Sequence, residues 1–351
     1  MQELILASYN VENMRDLFDR EGQLKSEAET NERVLHISRV VASVAPHLLG
    51  VCEADHRPEA QDAFAGACLG DQYRRVLVGD PGPRRDAPGK SLAMYYREPL
   101  RDPQLNYAFE KRFFRDVDQD GINEQIHWSR VPMEVDFRVG AGECSLKVIL
   151  VHGKSKGLGG IQFFEVEKAA RANRKKLMGQ ALELRGRLDR VFSRSPDLPV
   201  VVMGDFNDDP GLDIYESQLG RSFVETVMGS VFDPRRIFHN PLAHLMTWEP
   251  EDNDSRRVKY KPGQSLFTMK FRDPILNQDD PHRAWIDHLL FSRGMMRDGV
   301  AVRGVADSGW IENGEEQKNS PDEASKSDKE ALANASDHFL VAGVIEVPDP
   351  G

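Results

Sequence analysis

Polar residues suited to phosphate chemistry recur at the ends of short apolar runs in this 351-residue chain. Six such positions stand out: Asn10, Glu53, His152, Asp205 with Asn207, Asp287, and Asp337 with His338. A strand terminus can hold a side chain rigidly toward a ligand. One Asn or Asp beside a glycine is ordinary turn chemistry. Six of these positions at six predicted strand ends indicate a common site instead.

The types of donor in this set indicate a hard cation and a base. Carboxylate and amide oxygens without a thiolate suit Mg²⁺ or Mn²⁺ better than zinc; they come from Asn10, Glu53, Asp205, Asn207 and Asp337. A histidine with an aspartate partner can take a proton from water near neutral pH. A cation, a base and a further imidazole together predict attack of water on phosphorus.

The elements that must position these residues can be predicted from hydrophobic periodicity. Apolar runs of strand length recur along the chain, at 4–7, 48–51, 92–95, 146–151, 200–203, 289–291 and 339–347, and residues 131–137 alternate apolar with polar. Helical spacing occurs over Val34–Val44, which Pro46 ends, and over Leu177–Val191. We therefore predict an α/β (α+β) fold with two packed sheets and outer helices. We expect one domain over 1–351 with a flexible polar loop at 312–334.

Composition limits the functional classes. The chain has 46 basic and 57 acidic residues, a net charge of −11, which argues against nucleic-acid binding through bulk positive charge but not through a local cation. The three cysteines cannot all pair and lie far apart in the sequence, which excludes a disulfide scaffold. We see no secretory signal, membrane span or amphipathic basic helix, and we predict a cytoplasmic protein without stable membrane association.

The ordered motifs resemble those of the endonuclease/exonuclease/phosphatase superfamily. They are Tyr9-Asn10-Val11-Glu12-Asn13, Glu53 after Leu-Leu-Gly-Val-Cys, Val-His-Gly-Lys-Ser-Lys, Gly-Asp-Phe-Asn, Ile-Asp-His and Ser-Asp-His, spread over residues 4 to 347. The resemblance implies a four-layer sandwich, in which two mixed β-sheets pack face to face between helices. It places the active site at one edge of that sandwich.

The resemblance also implies a role for each motif residue. Glu53 would be the main metal carboxylate, with Asn10 and Asp337 as further ligands. His338 would be the general base, and Asp287 would orient it. Asp205 and Asn207 would position the nucleophile, and Asp205 would also help to hold metal. His152 would donate to the phosphate oxygens, and Arg130 would contact a substrate phosphate.

Four further features give weaker signals. Lys154 and Lys156, in the His-Gly-Lys-Ser-Lys-Gly loop, form a local basic group that predicts phosphate contact, with a solvated surface as the alternative. Asp116, Asp118 and Asp120 begin like a calcium loop, but His127 stands where the bidentate Glu belongs; the alternative is an acidic hairpin tip. In the deoxyribonuclease branch an acid partners the first histidine, and the matching segment 89–92 offers none. His288 should face away from the site.

We therefore predict a metal-dependent phosphodiesterase, a nuclease that uses Mg²⁺ or Mn²⁺ and water to cleave a phosphodiester, with nucleic acid as its substrate. A phosphomonoesterase, or a phosphodiesterase for lipids or small molecules, is the first alternative on the same chemistry. The second is a catalytically inactive protein that binds a phosphate ligand.

Overall fold

Two mixed β-sheets stack face to face, and helices cover their outer faces. The computed structural model describes residues 1–77, 91–140, 144–158, 163–245, 266–271, 282–313 and 326–349. Segments 84–90 and 251–264, whose content of charge, proline and glycine predicts surface loops, lie outside these residues. Among the described residues, no helix is long and apolar enough to cross a membrane.

The first sheet contains seven strands: β1 (Gln2–Asn10), β2 (Leu48–Ala54), β3 (Arg74–Arg75), β4 (Ser91–Tyr96), β15 (Arg303–Gly304), β16 (Trp310–Glu312) and β17 (Leu340–Val347). Their order is β15-β17-β1-β2-β4-β3, and β16 pairs with β17. Strands β1 and β2 run parallel, whereas β17 is antiparallel to β1. The carboxyl ends of β1 and β2 therefore meet the beginning of β17.

The second sheet has the order β11-β14-β10-β9-β8-β5. Its strands are β5 (Leu100–Asn106), β8 (Met133–Val139), β9 (Cys144–His152), β10 (Val200–Asp205), β11 (Phe238–His239) and β14 (Asp287–Ser292). Strands β9 and β10 run parallel, and β14 is antiparallel to β10. Two separate hairpins join β6 (Arg112–Arg115) to β7 (Glu124–His127) and β12 (Met269–Phe271) to β13 (His282–Ala284).

In the described part of the chain six α-helices accompany the sheets: α1 (Ala28–Val44), α2 (Pro58–Phe64), α3 (Val166–Arg194), α4 (Glu216–Leu219), α5 (Phe223–Met228) and α6 (Lys326–Ala335). Helices α1 and α6 contact each other beside the first sheet, and α3 with α5 covers the second. The spacing predicted both long helices, α1 and α3. The predicted two-sheet sandwich with flanking helices is confirmed.

The main core lies between the two sheets, where the apolar side chains that face each other are buried. Gly50 shows how closely they approach, because a Cβ atom there would lie 2.7 Å from the Met203 side chain and 2.8 Å from Leu150. A second apolar cluster fills the space between the second sheet and α3, with Ile149, Val202 and Leu184 fully buried. This double burial accounts for the continuously apolar strands in the sequence. Cys52, Cys68 and Cys144 are all free thiols.

The predicted loop at 312–334 is corrected in part. Glu312 ends strand β16, and Lys326–Ala335 forms helix α6, while 314–325 lie outside the described residues. Ala331, Leu332 and Ala335 are buried in the main core. These three residues share one helical face, and the surrounding polar composition masked that short apolar stripe.

Candidate active site

A polar pocket of about 280 Å³ opens where the ends of both sheets meet. Asn10, Glu53, His152 and Asp205 arrive at or near the carboxyl ends of β1, β2, β9 and β10. His338 precedes β17, which runs the opposite way. The structure thus brings eight predicted residues to one pocket lining: Asn10, Glu53, Arg130, His152, Asp205, Asn207, Asp337 and His338.

His338 and Asp287 form a buried pair at the back of this pocket. The Nδ1 atom of His338 lies 2.8 Å from Oδ2 of Asp287, and both side chains are almost completely buried. A carboxylate can only accept, so the network assigns the ring proton to Nδ1. The Nε2 lone pair of neutral His338 is then left toward the pocket, which is the arrangement of a general base.

Asn10 and Asp205 link this pair to the second histidine. The Asn10 amide donates to Oδ2 of Asp205 at 3.0 Å and lies 3.3 Å from Nε2 of His338. The same Asp205 oxygen lies 3.3 Å from Nε2 of His152. Asp205 therefore stands beside His152 in this structure, although the segment at 89–92 offers no acid.

Burial and mutual repulsion raise the pKa of several acids in the pocket. Desolvation raises the pKa of Asp205, and the nearby charge of Asp287 raises it further. Asp337 likewise has a raised pKa because it is buried and faces Glu53 and Asp287. Burial disfavours charged His338, but the carboxylates of Asp287, Asp205 and Asp337 outweigh it and raise its pKa to about 10.

The backbone around the pocket is unusual. Glu12, Asn13, Glu53 and Asn207 all have left-handed backbone conformations, with φ between 48° and 60°. Such φ values are uncommon for residues other than glycine and cluster at functional sites. Gly204 has φ +134°, and a Cβ atom there would lie 2.0 Å from the Val151 carbonyl oxygen. The Gly-Asp-Phe-Asn motif thus requires its glycine.

The donor set is compatible with the divalent metal that the resemblance implies. Glu12, Glu53, Asp337 and the Asn10 amide line one side of the pocket, and all offer hard oxygen ligands. The pKa of Glu12 is raised by burial and by the charges of Asp337 and Glu53. Crowded carboxylates of this kind favour a cation among them. Asp205, Asp287 and His338 also offer ligand atoms within 4.8 Å of one another.

The structure places neither loop lysine in the pocket lining, and the predicted phosphate contact of Lys156 stays a prediction. Its ammonium contacts Asp208 and lies 2.6 Å from Glu216, in a buried ion cluster outside the pocket lining. These counter-ions lie far along the chain and hold the Lys156 ammonium outside the pocket lining. Lys154 is directed to the Ser155 carbonyl oxygen at 2.7 Å and does not line the pocket. Its phosphate contact stays a prediction.

The acidic segment at 116–120 lies at the tip of the β6–β7 hairpin. Ligand atoms of Asp116, Asp118 and Asp120 come within 4.8 Å of one another. However, Asp116 and Asp120 accept backbone N–H groups of the same loop, and the Lys175 ammonium lies 2.7 Å from Asp118. This geometry suits a hydrogen-bonded acidic turn. A structural Ca²⁺ ion there stays a prediction, which a calcium-dependent rise in melting temperature would test.

The backbone position of Asp287 depends on a threonine that no sequence motif singled out. The Thr268 hydroxyl accepts the backbone N–H groups of Ile286 and Asp287, both at 2.9 Å. The neighbouring His288 turns to the other side, as predicted. Its Nε2 donates to the Asp208 carbonyl oxygen at 2.9 Å, and burial lowers its pKa to about 4.

Two further residues join the Asn10 segment to the His338 segment. The Ser336 hydroxyl donates to the Asn10 carbonyl oxygen at 2.7 Å and accepts the His338 N–H at 3.1 Å. The Arg33 guanidinium donates to the carbonyl oxygens of Val11, Glu12 and Ala335. Arg33 lies on α1, and no local sequence signal predicted these non-local contacts.

This fold and this site define a sandwich protein with the polar cluster of a phosphoesterase. A family model for the Endonuclease/Exonuclease/phosphatase family matches residues 7–338. The chain therefore belongs to that family, whose members are phosphoesterases that typically depend on a divalent metal. No curated protein matches the chain by sequence.

Solved structures are similar to the chain at low sequence identity. The human Nocturnin catalytic domain with bound sulfate has a TM-score of 0.50 and 12% identity, over 98% of this chain and 94% of that one. Truncated Caenorhabditis elegans TDP2 has a TM-score of 0.49 and 14% identity, over 98% and 97%. A family protein from Bacteroides vulgatus has a TM-score of 0.48 and 16% identity, over 99% and 100%. At such identities a likeness concerns the fold alone.

Proposed function

We propose that the protein is a divalent-metal-dependent phosphodiesterase that hydrolyses nucleic acid by in-line attack of water. The observation that carries this proposal is the contact between His338 Nδ1 and Asp287, which leaves Nε2 of the base toward the pocket. Asp287 fixes the tautomer of His338 and stabilises the imidazolium that forms when the water gives up its proton.

Several residues would prepare the phosphate for attack. His152 would donate from Nε2 to a phosphate oxygen, where negative charge develops, and Arg130 would contact the same group. Asn207 would help to position the water; its own position is held by a backbone N–H bond of 2.8 Å to Asp205. Holding phosphate and water in line removes much of the entropic cost of the reaction.

A metal would be held by Glu53, Asn10 and Asp337, with Asp205 nearby. When bound, Mg²⁺ or Mn²⁺ supplies positive charge that stabilises the developing charge on phosphate and offsets the carboxylates that raise the pKa of His338. The crowding of acids in the pocket also suits a cation, because without a cation these acids oppose the binding of any anion.

The balance of charge in the pocket favours a diester over a monoester. Among the described residues that line the pocket, the Arg130 guanidinium and the imidazoles of His152 and His338 face four carboxylates, from Glu12, Glu53, Asp205 and Asp337. A phosphodiester carries one negative charge, whereas a monoester carries close to two near neutral pH. The His-Gly-Lys-Ser-Lys-Gly segment that begins at His152 resembles segments of extracellular bacterial nucleases of this superfamily, and that resemblance supports nucleic acid as the diester.

A substrate screen tests the proposal. The purified protein would be assayed with Mg²⁺ or Mn²⁺ on single- and double-stranded DNA, RNA, bis-p-nitrophenyl phosphate and a phosphomonoester. His338→Ala is the test variant, and His56→Ala, at an exposed histidine outside the pocket, is its control. We expect cleavage of diesters that EDTA abolishes and that His338→Ala lowers by about 10²–10⁴-fold.

Two results would contradict the proposal. Release of phosphate from monoesters alone would favour a phosphomonoesterase. Binding of metal and phosphate without turnover on any substrate would favour a binding protein.

A further inference from the structure

Arg130 contacts the carboxylate proposed to bind the metal. Its Nη2 atom lies 3.2 Å from Oε1 of Glu53, and the Asn13 backbone N–H donates to Oε2 at 3.0 Å. Both Glu53 oxygens therefore already have a hydrogen-bond donor. The Arg130 and Glu53 side chains are only 11% and 13% exposed, so water screens their charges weakly.

Arg130 also has an unused donor within the described structure. Its Nε atom is buried and has no hydrogen-bond partner among the described residues. Leaving a buried charged donor without a partner is costly, so such a group favours the approach of an anion. Arg130 lines the same pocket as His152, which is where a phosphate would bind.

We propose that Arg130 alternates between two anions, Glu53 and the substrate phosphate, and thereby couples metal binding to phosphate binding. This inference rests on the proposed function, because it takes Glu53 as a metal ligand. A cation and the Arg130 guanidinium both require Glu53, and as like charges on one carboxylate they repel each other.

Phosphate relieves this competition. A guanidinium that leaves Glu53 retains the planar set of donors that matches phosphate oxygens. Phosphate binding therefore frees Glu53 for the metal, and metal binding frees Arg130 for phosphate. Because linkage is reciprocal, each ligand must strengthen the binding of the other by the same factor.

A simple structural role for Arg130 predicts the opposite effect on metal. If the guanidinium only holds Glu53 in position, removing it disorders the carboxylate and weakens metal binding. If Arg130 competes for Glu53, removing it strengthens metal binding while it weakens anion binding. The two roles therefore differ in the sign of a measured affinity.

Calorimetry with Mn²⁺ alone and with sulfate alone makes this distinction without any activity assay. Sulfate serves as the tetrahedral anion because it does not precipitate Mn²⁺. We expect Arg130→Gln to bind Mn²⁺ about tenfold more tightly and sulfate about tenfold more weakly than the natural chain, as for one charged hydrogen bond. Arg130→Lys keeps the charge and should return Mn²⁺ affinity toward the natural value.

Two controls identify the site and the charge effect. Glu53→Gln marks which part of the Mn²⁺ signal belongs to the pocket. Arg297→Gln removes the same charge from an exposed arginine that pairs with Asp197, and it should leave both affinities unchanged. Saturating sulfate should tighten Mn²⁺ binding more in the natural chain than in Arg130→Gln.

Failure of the coupling and failure of the proposed metal site give different results. Unchanged or weaker Mn²⁺ binding by Arg130→Gln, with a Glu53-dependent signal present, overturns the coupling and leaves the proposed function standing. Mn²⁺ binding that Glu53→Gln does not alter overturns the proposed metal site, and the coupling with it.

Discussion

Replacing Asp287 with asparagine removes the charge of this carboxylate and keeps its size. In the natural chain Asp287 Oδ2 accepts the Nδ1 proton of His338 at 2.8 Å, and both groups are shielded from water. Asparagine can present its amide group instead of its oxygen to the ring, which would favour the wrong tautomer. The backbone N–H of position 287 keeps its bond to Thr268, so we expect the fold to persist.

The magnitude follows from the loss of one charged hydrogen bond and from the change of tautomer. A hydrogen bond to a charged group contributes about 1.5–3 kcal/mol, which alone corresponds to roughly ten- to 150-fold in rate. Failure to present Nε2 as the base adds to this, so we expect kcat to fall by about 10²–10⁴-fold. KM should change little, because Asp287 does not line the pocket.

The pH dependence of kcat tests the role of Asp287 independently, through the direction in which the profile moves. His338 must be neutral to accept a proton, so activity should rise with pH through its pKa. The carboxylate of Asp287 raises that pKa. Without its charge, the acid limb of the kcat profile should move to lower pH, by about one to two pH units for a loss of about 1.5–3 kcal/mol.

The assay is steady-state hydrolysis of a phosphodiester between about pH 5 and pH 10 at a fixed Mn²⁺ concentration. The control variant is Asp197→Asn, which changes an exposed carboxylate in the same way. An unchanged kcat, or an acid limb that stays in place or moves upward, would refute the role assigned to Asp287.

Three further predictions concern stability. Glu134→Gln should lower the free energy of unfolding by about 3–5 kcal/mol in urea, because it breaks a buried ion pair with Lys147 and Arg187; activity per folded molecule should persist. His288→Phe should lose less stability on acidification than the natural chain, by at most about 1.4 kcal/mol per pH unit. The reason is that burial lowers the pKa of His288 to about 4, so the unfolded natural chain binds more protons than the folded one between about pH 6.5 and pH 4. Parallel urea titrations at several pH values test this prediction, and an equal loss of stability in both chains would contradict it. Lys156→Met should destabilise the fold by a similar 3–5 kcal/mol without raising KM, and a raised KM would restore this lysine as a substrate contact.

Periodicity in the sequence predicted the elements that position the site. Strands such as β9 and β10 are apolar on both faces because the sheets and helices enclose them, and that pattern is local. Parallel pairing places the end of β1, with Asn10, beside β2 in the first sheet and the end of β10, with Asp205, beside β9 in the second. The stacking of the two sheets then brings Asn10 and Asp205 into contact. The types of these residues and their positions at the ends of predicted strands were therefore sufficient to predict this part of the site.

Partners contributed from distant parts of the chain could not be predicted. Lys156 looked like a phosphate ligand because its counter-ions, Asp208 and Glu216, lie more than 50 residues further on. Arg33 acts through backbone carbonyl groups, which have no signature in side-chain type. The left-handed φ of Glu53 likewise arises from the surrounding structure and not from residue preference.

The position of a bound cation tests the central proposal most directly. Crystals of the protein soaked in Mn²⁺ would be measured for anomalous scattering at a wavelength where manganese contributes. We expect a peak in the pocket about 2.0–2.3 Å from oxygen atoms of Glu53 and Asp337, with His338 Nε2 facing the same space. A peak only at the acidic tip near Asp118, with the pocket free of manganese, would contradict the proposal.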